Sequence, residues 1–110
     1  MVVIRLFCAA GMSTGILVKK MEEAAKARGL DTDIKACPQG SIAGNVDGVD
    51  VALLGPQVAY TIGKSTEICD KKGIPVGVIP MTDYGIMNGE GVLNFALKLI
   101  DEYKGEKTNE

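Results

Sequence analysis

The nine residues Phe7-Cys8-Ala9-Ala10-Gly11-Met12-Ser13-Thr14-Gly15 join an apolar run of strand length, residues 2–7, to an amphipathic run, residues 16–28. A strand, a short glycine-bearing turn and a helix opened by hydroxyl residues form a βα turn whose backbone N–H groups converge on one point. Cys8 stands at that point. The thiolate is the reactive form of cysteine, and a helix start favours negative charge. The dipole contributes only about 0.3–1 kcal/mol. Direct N–H and hydroxyl bonds to an anion, at about 1.5–3 kcal/mol each, supply most of the preference. The small residues of the loop from Ala9 to Thr14 let the backbone close around a phosphate-sized anion held over Cys8. The competing reading makes Cys8 a small apolar residue ending a buried strand.

A chain of 110 residues has the length of one domain. The net charge of −2 and the lack of a basic cluster argue against nucleic acid as a partner. No apolar run is long enough to span a bilayer, and the apolar start is too short for a secretion signal. Three cysteines without paired spacing fit a reducing cytoplasm better than a disulfide framework. The absence of histidine removes Ser-His-Asp and Cys-His catalysis, most zinc sites and any phosphohistidine carried by the chain itself. Chemistry here falls to a carboxylate or a cysteine, with no metal and no cofactor expected.

Taken in order, residues 1–7 read as a strand buried on both faces. Ser13 is the expected N-cap of a helix bearing Leu17, Met21, Ala24 and Arg28, with Gly29 as its stop. Residues 31–36 alternate as an outer strand ended by Cys37-Pro38, and residues 39–48 connect through a single helical turn. Residues 49–54 form a second strongly apolar strand. Gly55-Pro56-Gln57 ends it, and Val58, Ile62, Ser65 or Thr66, and Cys69 then repeat at helical spacing to Lys72, with a stop at Gly73. Cys69 is a core residue on this pattern. Residues 75–79 make a fourth, edge strand with proline at its start. A turn or short helix follows over residues 80–85, and Asn88-Gly89 leads into a last helix bearing Val92, Phe95, Ala96, Leu99 and Ile100. Residues 1–104 form the domain, and the polar residues 105–110 read as a disordered tail.

Strands alternating with helices imply an α/β fold with a parallel sheet, right-handed crossovers and helices on both faces. Placing the two most apolar strands centrally gives the order 2-1-3-4. That order reverses between strands one and three, and ligands of open α/β sheets bind at such a point, outside the carboxyl ends of the strands. The Cys8 loop and the Gly55-Pro56-Gln57 loop are therefore expected to face each other.

Three segments in register, Cys8-Ala9-Ala10-Gly11-Met12-Ser13-Thr14, Leu53-Leu54-Gly55-Pro56-Gln57 and Asp83-Tyr84-Gly85, resemble the enzyme IIB components of the bacterial sugar phosphotransferase system, lactose/cellobiose/chitobiose class. The resemblance spans residues 2–103. It implies a three-layer sandwich similar to low-molecular-weight tyrosine phosphatase. It implies that Cys8 takes a phosphoryl group from a phosphohistidine on a IIA component and passes it to a disaccharide of cellobiose, lactose or chitobiose type entering through a membrane-embedded IIC component. The site would then lie in the cytoplasm at the inner face of the membrane. The phosphate cradle carries over onto Ala9, Ala10, Gly11, Met12, Ser13, Thr14 and Gly15, with Gln57, Asp83 and Tyr84 as neighbours. Gly15 stands where members of this family often have a second hydroxyl.

Two alternatives have distinct signatures. A cysteine phosphatase of similar fold needs Cys-x5-Arg, because the guanidinium clamps the phosphate in the transition state. Position 14 is threonine, and the next arginine is Arg28. A flavodoxin-like mononucleotide or anion binder would use the same loop, but 5 % aromatic residues and no tryptophan leave little for flavin stacking. A receiver domain needs an acceptor aspartate at the end of strand three, where this chain has Leu54-Gly55. Asp83 reads first as a turn or cap residue, and Cys37 as a thiol near strand one without a Cys-x-x-Cys partner.

Overall fold

The computed structural model describes residues 1–8 and 12–108. One parallel sheet holds β1 (Val2–Cys8), β2 (Thr32–Pro38), β3 (Val51–Leu54) and β4 (Val76–Val78) in the order β2-β1-β3-β4. This is the order that strand apolarity predicts. All four residues of β3 are buried, as are Leu6, Phe7 and Cys8 at the carboxyl end of β1. Four helices follow the strands: α1 (Met12–Ala27), α2 (Ile62–Asp70), α3 (Met81–Gly85) and α4 (Gly89–Thr108). Two 3-10 segments, Gln39–Gly44 and Pro56–Thr61, complete the connections.

Successive side chains of a strand point to opposite faces, and the core divides accordingly. Ile4, Leu6, Val51 and Leu53 pack with Leu17, Met21 and Ala25 of α1 and with Val92, Leu93 and Ala96 of α4. Phe7, Ala52 and Leu54 face the other way, toward Ile42, Val58 and Cys69. Helices thus cover both faces in three layers. Each fully buried aliphatic side chain contributes about 1.5–3 kcal/mol, so the sheet is held from both sides.

The two glycine stops fall where the sequence places them. Gly29 (φ 70°) and Gly73 (φ 71°) are left-handed. Leu30 N–H reaches Ala25 O (2.9 Å) and Ile74 N–H reaches Cys69 O (2.9 Å), closing the last turns of α1 and α2 in the same way.

Other boundaries differ from the expectations. α1 opens at Met12, so Ser13 stands inside its first turn and is not the N-cap. A serine's capping preference is a weak local bias, and helix starts shift by a residue or two when a loop fixes the entry. The continuous helix expected from Val58 onward is divided. Val58 has non-helical φ/ψ (−114°, 22°), Ile62 N–H bonds to Ala59 O, and the Val58 carbonyl accepts a hydrogen bond from Thr61 Oγ1 (2.7 Å). The expected break after residue 104 is absent from the helix. α4 runs on through residues 105–108, because extending a formed helix adds one bond per residue fixed and Glu106 and Lys107 are good helix formers. No helix among the described residues is long and apolar enough to cross a membrane.

Candidate functional site

Cys8 is the last residue of β1, 2 % exposed, at the reversal between β1 and β3. The Gly55 loop lies directly against it. Gly55 N–H donates to the Phe7 carbonyl (2.8 Å), which ties the end of β3 to the residue before the cysteine. A Cβ built on Gly55 would stand 3.3 Å from Cys8 Cβ and 3.0 Å from Gln57 Oε1. A side chain at this point of contact would press on Cys8 and Gln57. The missing side chain leaves the space into which the Gln57 side chain folds, beside the cysteine. The Gly55 loop thus meets the end of β1 at Cys8, while the loop expected to face it, residues 9–11, lies outside the described residues.

Ala9, Ala10 and Gly11 lie outside the described residues, as do the side chains of Met12, Ser13 and Thr14. The backbone of Met12, Ser13 and Thr14 forms the first turn of α1, where N–H groups have no acceptor within the helix. Gly15 is exposed, and a Cβ there would meet nothing within 4 Å. A hydroxyl-bearing residue would fit in its place.

Asp83 and Tyr84 sit in α3, just beyond the carboxyl end of β4. Asp83 Oδ1 accepts a hydrogen bond from Asn88 Nδ2 (3.2 Å), and its carbonyl accepts Asn88 N–H (2.8 Å). Asn88 Oδ1 in turn accepts Gly91 N–H (3.0 Å), capping α4. The carboxylate of Asp83 orders the entry to α4, as its turn-residue reading expects. Tyr84 is 9 % exposed and belongs to the same half of the core as Leu17 and Ile79.

The other thiols are separated from Cys8 by the sheet itself. Cys37 is in register with Phe7 and packs with Phe7's half of the core. Cys8, one residue on, points to the opposite face, so proximity of β2 to β1 does not bring the two sulfurs together. Cys69 is fully buried on α2, and burial pushes its thiol up from the ordinary range. Both arginines of the chain are engaged elsewhere. Arg5 Nη1 donates to the Ile4 and Asp33 carbonyls and its Nη2 to Asp33 Oδ2 (3.2 Å), and Arg28 lies 4.0 Å from Glu90. Asp50 accepts Val3 N–H (2.8 Å), at the opposite edge of the sheet from Cys8.

A buried cysteine ending the first strand, with a glycine–glutamine loop against it and no arginine clamp, matches one known group. Residues 3–95 fit the family model described as "PTS system, Lactose/Cellobiose specific IIB subunit". The chain belongs to this family. A galactose-specific EIIB component of Lactococcus lactis subsp. cremoris is 44 % identical over 104 residues, covering 90 % of this chain and 96 % of the relative. A cellobiose-specific EIIB component of Lactococcus lactis subsp. lactis matches to the same extent, at 44 %. An oligo-beta-mannoside-specific EIIB component of Bacillus subtilis is 35 % identical over 88 % of this chain and 94 % of its own length.

Among solved structures, a cellobiose-specific IIB component from Borrelia burgdorferi superposes with a TM-score of 0.76 at 39 % identity, covering 93 % of this chain and 94 % of that one. The lactose-specific IIB domain of Streptococcus pneumoniae has a TM-score of 0.80 at 17 % identity, covering 89 % of this chain and 96 % of that one, a likeness of fold. This IIB chain is a sugar phosphotransferase of the lactose/cellobiose type, a class that works with IIA and IIC components.

Proposed function

We propose that Cys8 carries the phosphoryl group. Its thiolate attacks the phosphorus of a phosphohistidine on the IIA partner, the P–N bond breaks and an S–P bond forms. In the second step a sugar hydroxyl presented by the IIC partner attacks, loses its proton, and the thiolate leaves. The backbone N–H groups of residues 9–15 and the Ser13 and Thr14 hydroxyls are assigned to the equatorial oxygens. The single observation that supports this most is the placing of Cys8 at the reversal between β1 and β3, with the Gly55 loop closed against it.

The partner surface follows from exposure. Ile16, Tyr60, Met81 and Ile86 are each more than half exposed, and all four stand on segments that follow the carboxyl ends of strands. Large exposed apolar groups on these segments are offered as the docking surface. IIA and IIC are proposed to use it in turn, since one phosphoryl group enters and leaves by one opening. On this reading the protein works in the cytoplasm, at the inner face of the membrane when IIC is engaged. Relatives named for galactose and for cellobiose are equally similar to this chain, which supports a choice of sugar made mainly by IIC.

The test is the intact mass of the protein after incubation with phosphoenolpyruvate, the general phosphotransferase proteins and a matching IIA. Cys8→Ser, Cys37→Ser and Cys69→Ser run in parallel. A gain of one phosphoryl group lost only in Cys8→Ser is the expected result. No gain, together with hydrolysis of an aryl phosphate, would replace the carrier reading with a phosphatase.

A further inference from the structure

We infer that the Gln57 side-chain amide supports the phosphoryl group on Cys8 as a neutral partner, and that its neutrality keeps the carried group from water. This rests on the phosphocarrier reading above. Gln57 is exposed and belongs to neither half of the core, so packing does not explain its placement. It stands in the first turn of the 3-10 segment Pro56–Thr61, and its Oε1 lies over the bare α-carbon of Gly55. Cys8 Cβ lies 3.3 Å from the position a Gly55 Cβ would take, so the amide and the cysteine border the same small space. The Gly55–Phe7 hydrogen bond pins that geometry. A phosphoryl group extends Cys8 by two further bonds beyond Cβ–Sγ, into the reach of a flexible amide.

The chemistry explains why an amide suits a carrier. Loss of the group to solvent requires water to bond to phosphorus while the S–P bond breaks, the thiolate leaving and the water giving up a proton. A fixed cation beside the equatorial oxygens would stabilise that transition state whether or not a partner were docked. An uncharged amide, its flexible side chain turned so that Nε2 in place of Oε1 faces the phosphoryl group, donates one ordinary N–H hydrogen bond to an oxygen, and the remaining stabilisation waits for the partner. Both arginines are held away from this position, Arg5 by Asp33 and Arg28 beside Glu90. Gln57, which borders the same space as the cysteine, therefore sets how long the phosphocysteine survives.

The experiment compares wild type with Gln57→Leu, Gln57→Glu and Gln57→Arg. Loading by phospho-IIA is followed by intact mass, and then decay of the isolated phosphorylated protein without IIC. Thermal midpoints are recorded for all four, and an exposed site leaves them nearly unchanged. Gln57→Leu is expected to load about tenfold more slowly, and isosteric Gln57→Glu more slowly still, because its charge repels the phosphoryl oxygens. Gln57→Arg is expected to lose its phosphoryl group to water about tenfold faster than wild type. Folded variants that load and decay at wild-type rates would overturn the inference and leave the carrier intact. A wild type that never loads on Cys8 would overturn the carrier reading itself, and the inference with it.

Discussion

The two edges of the sheet are built differently. At the amino edge the polar groups are closed off: Val2 N–H reaches Asp31 O, Val3 N–H reaches the Asp50 carboxylate, and Tyr103 Oη donates to Asp70. Lys72 pairs with Asp47, and the glycine stops of α1 and α2 satisfy their last carbonyls. The carboxyl edge carries the buried cysteine and the bare Gly55, and the segments that follow it in sequence bear the exposed Ile16, Tyr60, Met81 and Ile86. Apart from the terminal Met1, these four are the exposed large apolar residues among those described. One edge stabilises the fold, and the other is left open for chemistry and partners.

Substitutions separate the two. The largest loss of stability is expected away from the site, at Gly89. A Cβ there would stand 2.4 Å from the Lys20 carbonyl carbon, backbone against backbone where α4 crosses α1. Gly89→Ala should cost about 1–3 kcal/mol. That is a fall in thermal midpoint of about 4–8 °C per kcal/mol, read by calorimetry. At the carboxyl edge the effect reverses in kind. Met81→Glu with Ile86→Glu should leave stability within about 0.5 kcal/mol per site. Transfer from phospho-IIA should slow about tenfold, a barrier increase of about 1.4 kcal/mol seen in single-turnover loading. If loading were unaffected, this edge would not be the docking surface.

Asp50→Ala removes the acceptor of Val3 N–H at the amino edge. It should cost about 1 kcal/mol in denaturant unfolding with no change in loading rate. The smallest effect belongs to Cys69. Its thiol is held up by burial, so the folded state keeps its proton at a pH where the unfolded chain has lost one. Stability from this group is full below the ordinary thiol range and declines as pH rises through it. Between about pH 8 and about pH 10 the thermal midpoint of the native protein should fall further than that of Cys69→Val.

The sheet order was legible because Val51–Leu54 and Leu6-Phe7-Cys8 are apolar without alternation, the mark of strands buried on two faces. Gly29 and Gly73 announced the ends of α1 and α2 because a left-handed residue has few other occupants. Less local features were hidden. The kink at Val58 depends on Thr61 taking its carbonyl, and apolar periodicity carries no record of such a bond. Ser13 looked like a cap because its side chain favours one, yet α1 opens at Met12, two residues before the start that such a cap implies. The separation of Cys37 from Cys8 needed the register, since a shift of one residue would put both on one face. Gln57 was legible as a neighbour of the site through its loop. Its position over Gly55 was not, because it depends on a side chain folding back across a missing Cβ.

The central claim is that the carboxyl-edge sulfur of Cys8 holds the phosphoryl group, and peptide mapping of the loaded protein tests it most directly. Trypsin, cutting after Arg5, Lys19, Lys35, Lys64 and Lys71, separates the three cysteines into residues 6–19, 36–64 and 65–71. The account predicts the added mass in residues 6–19, with the Cys8 thiol protected from iodoacetamide while the group is present. Added mass in either of the other two peptides, or in residues 6–19 with the Cys8 thiol still alkylated, would contradict it.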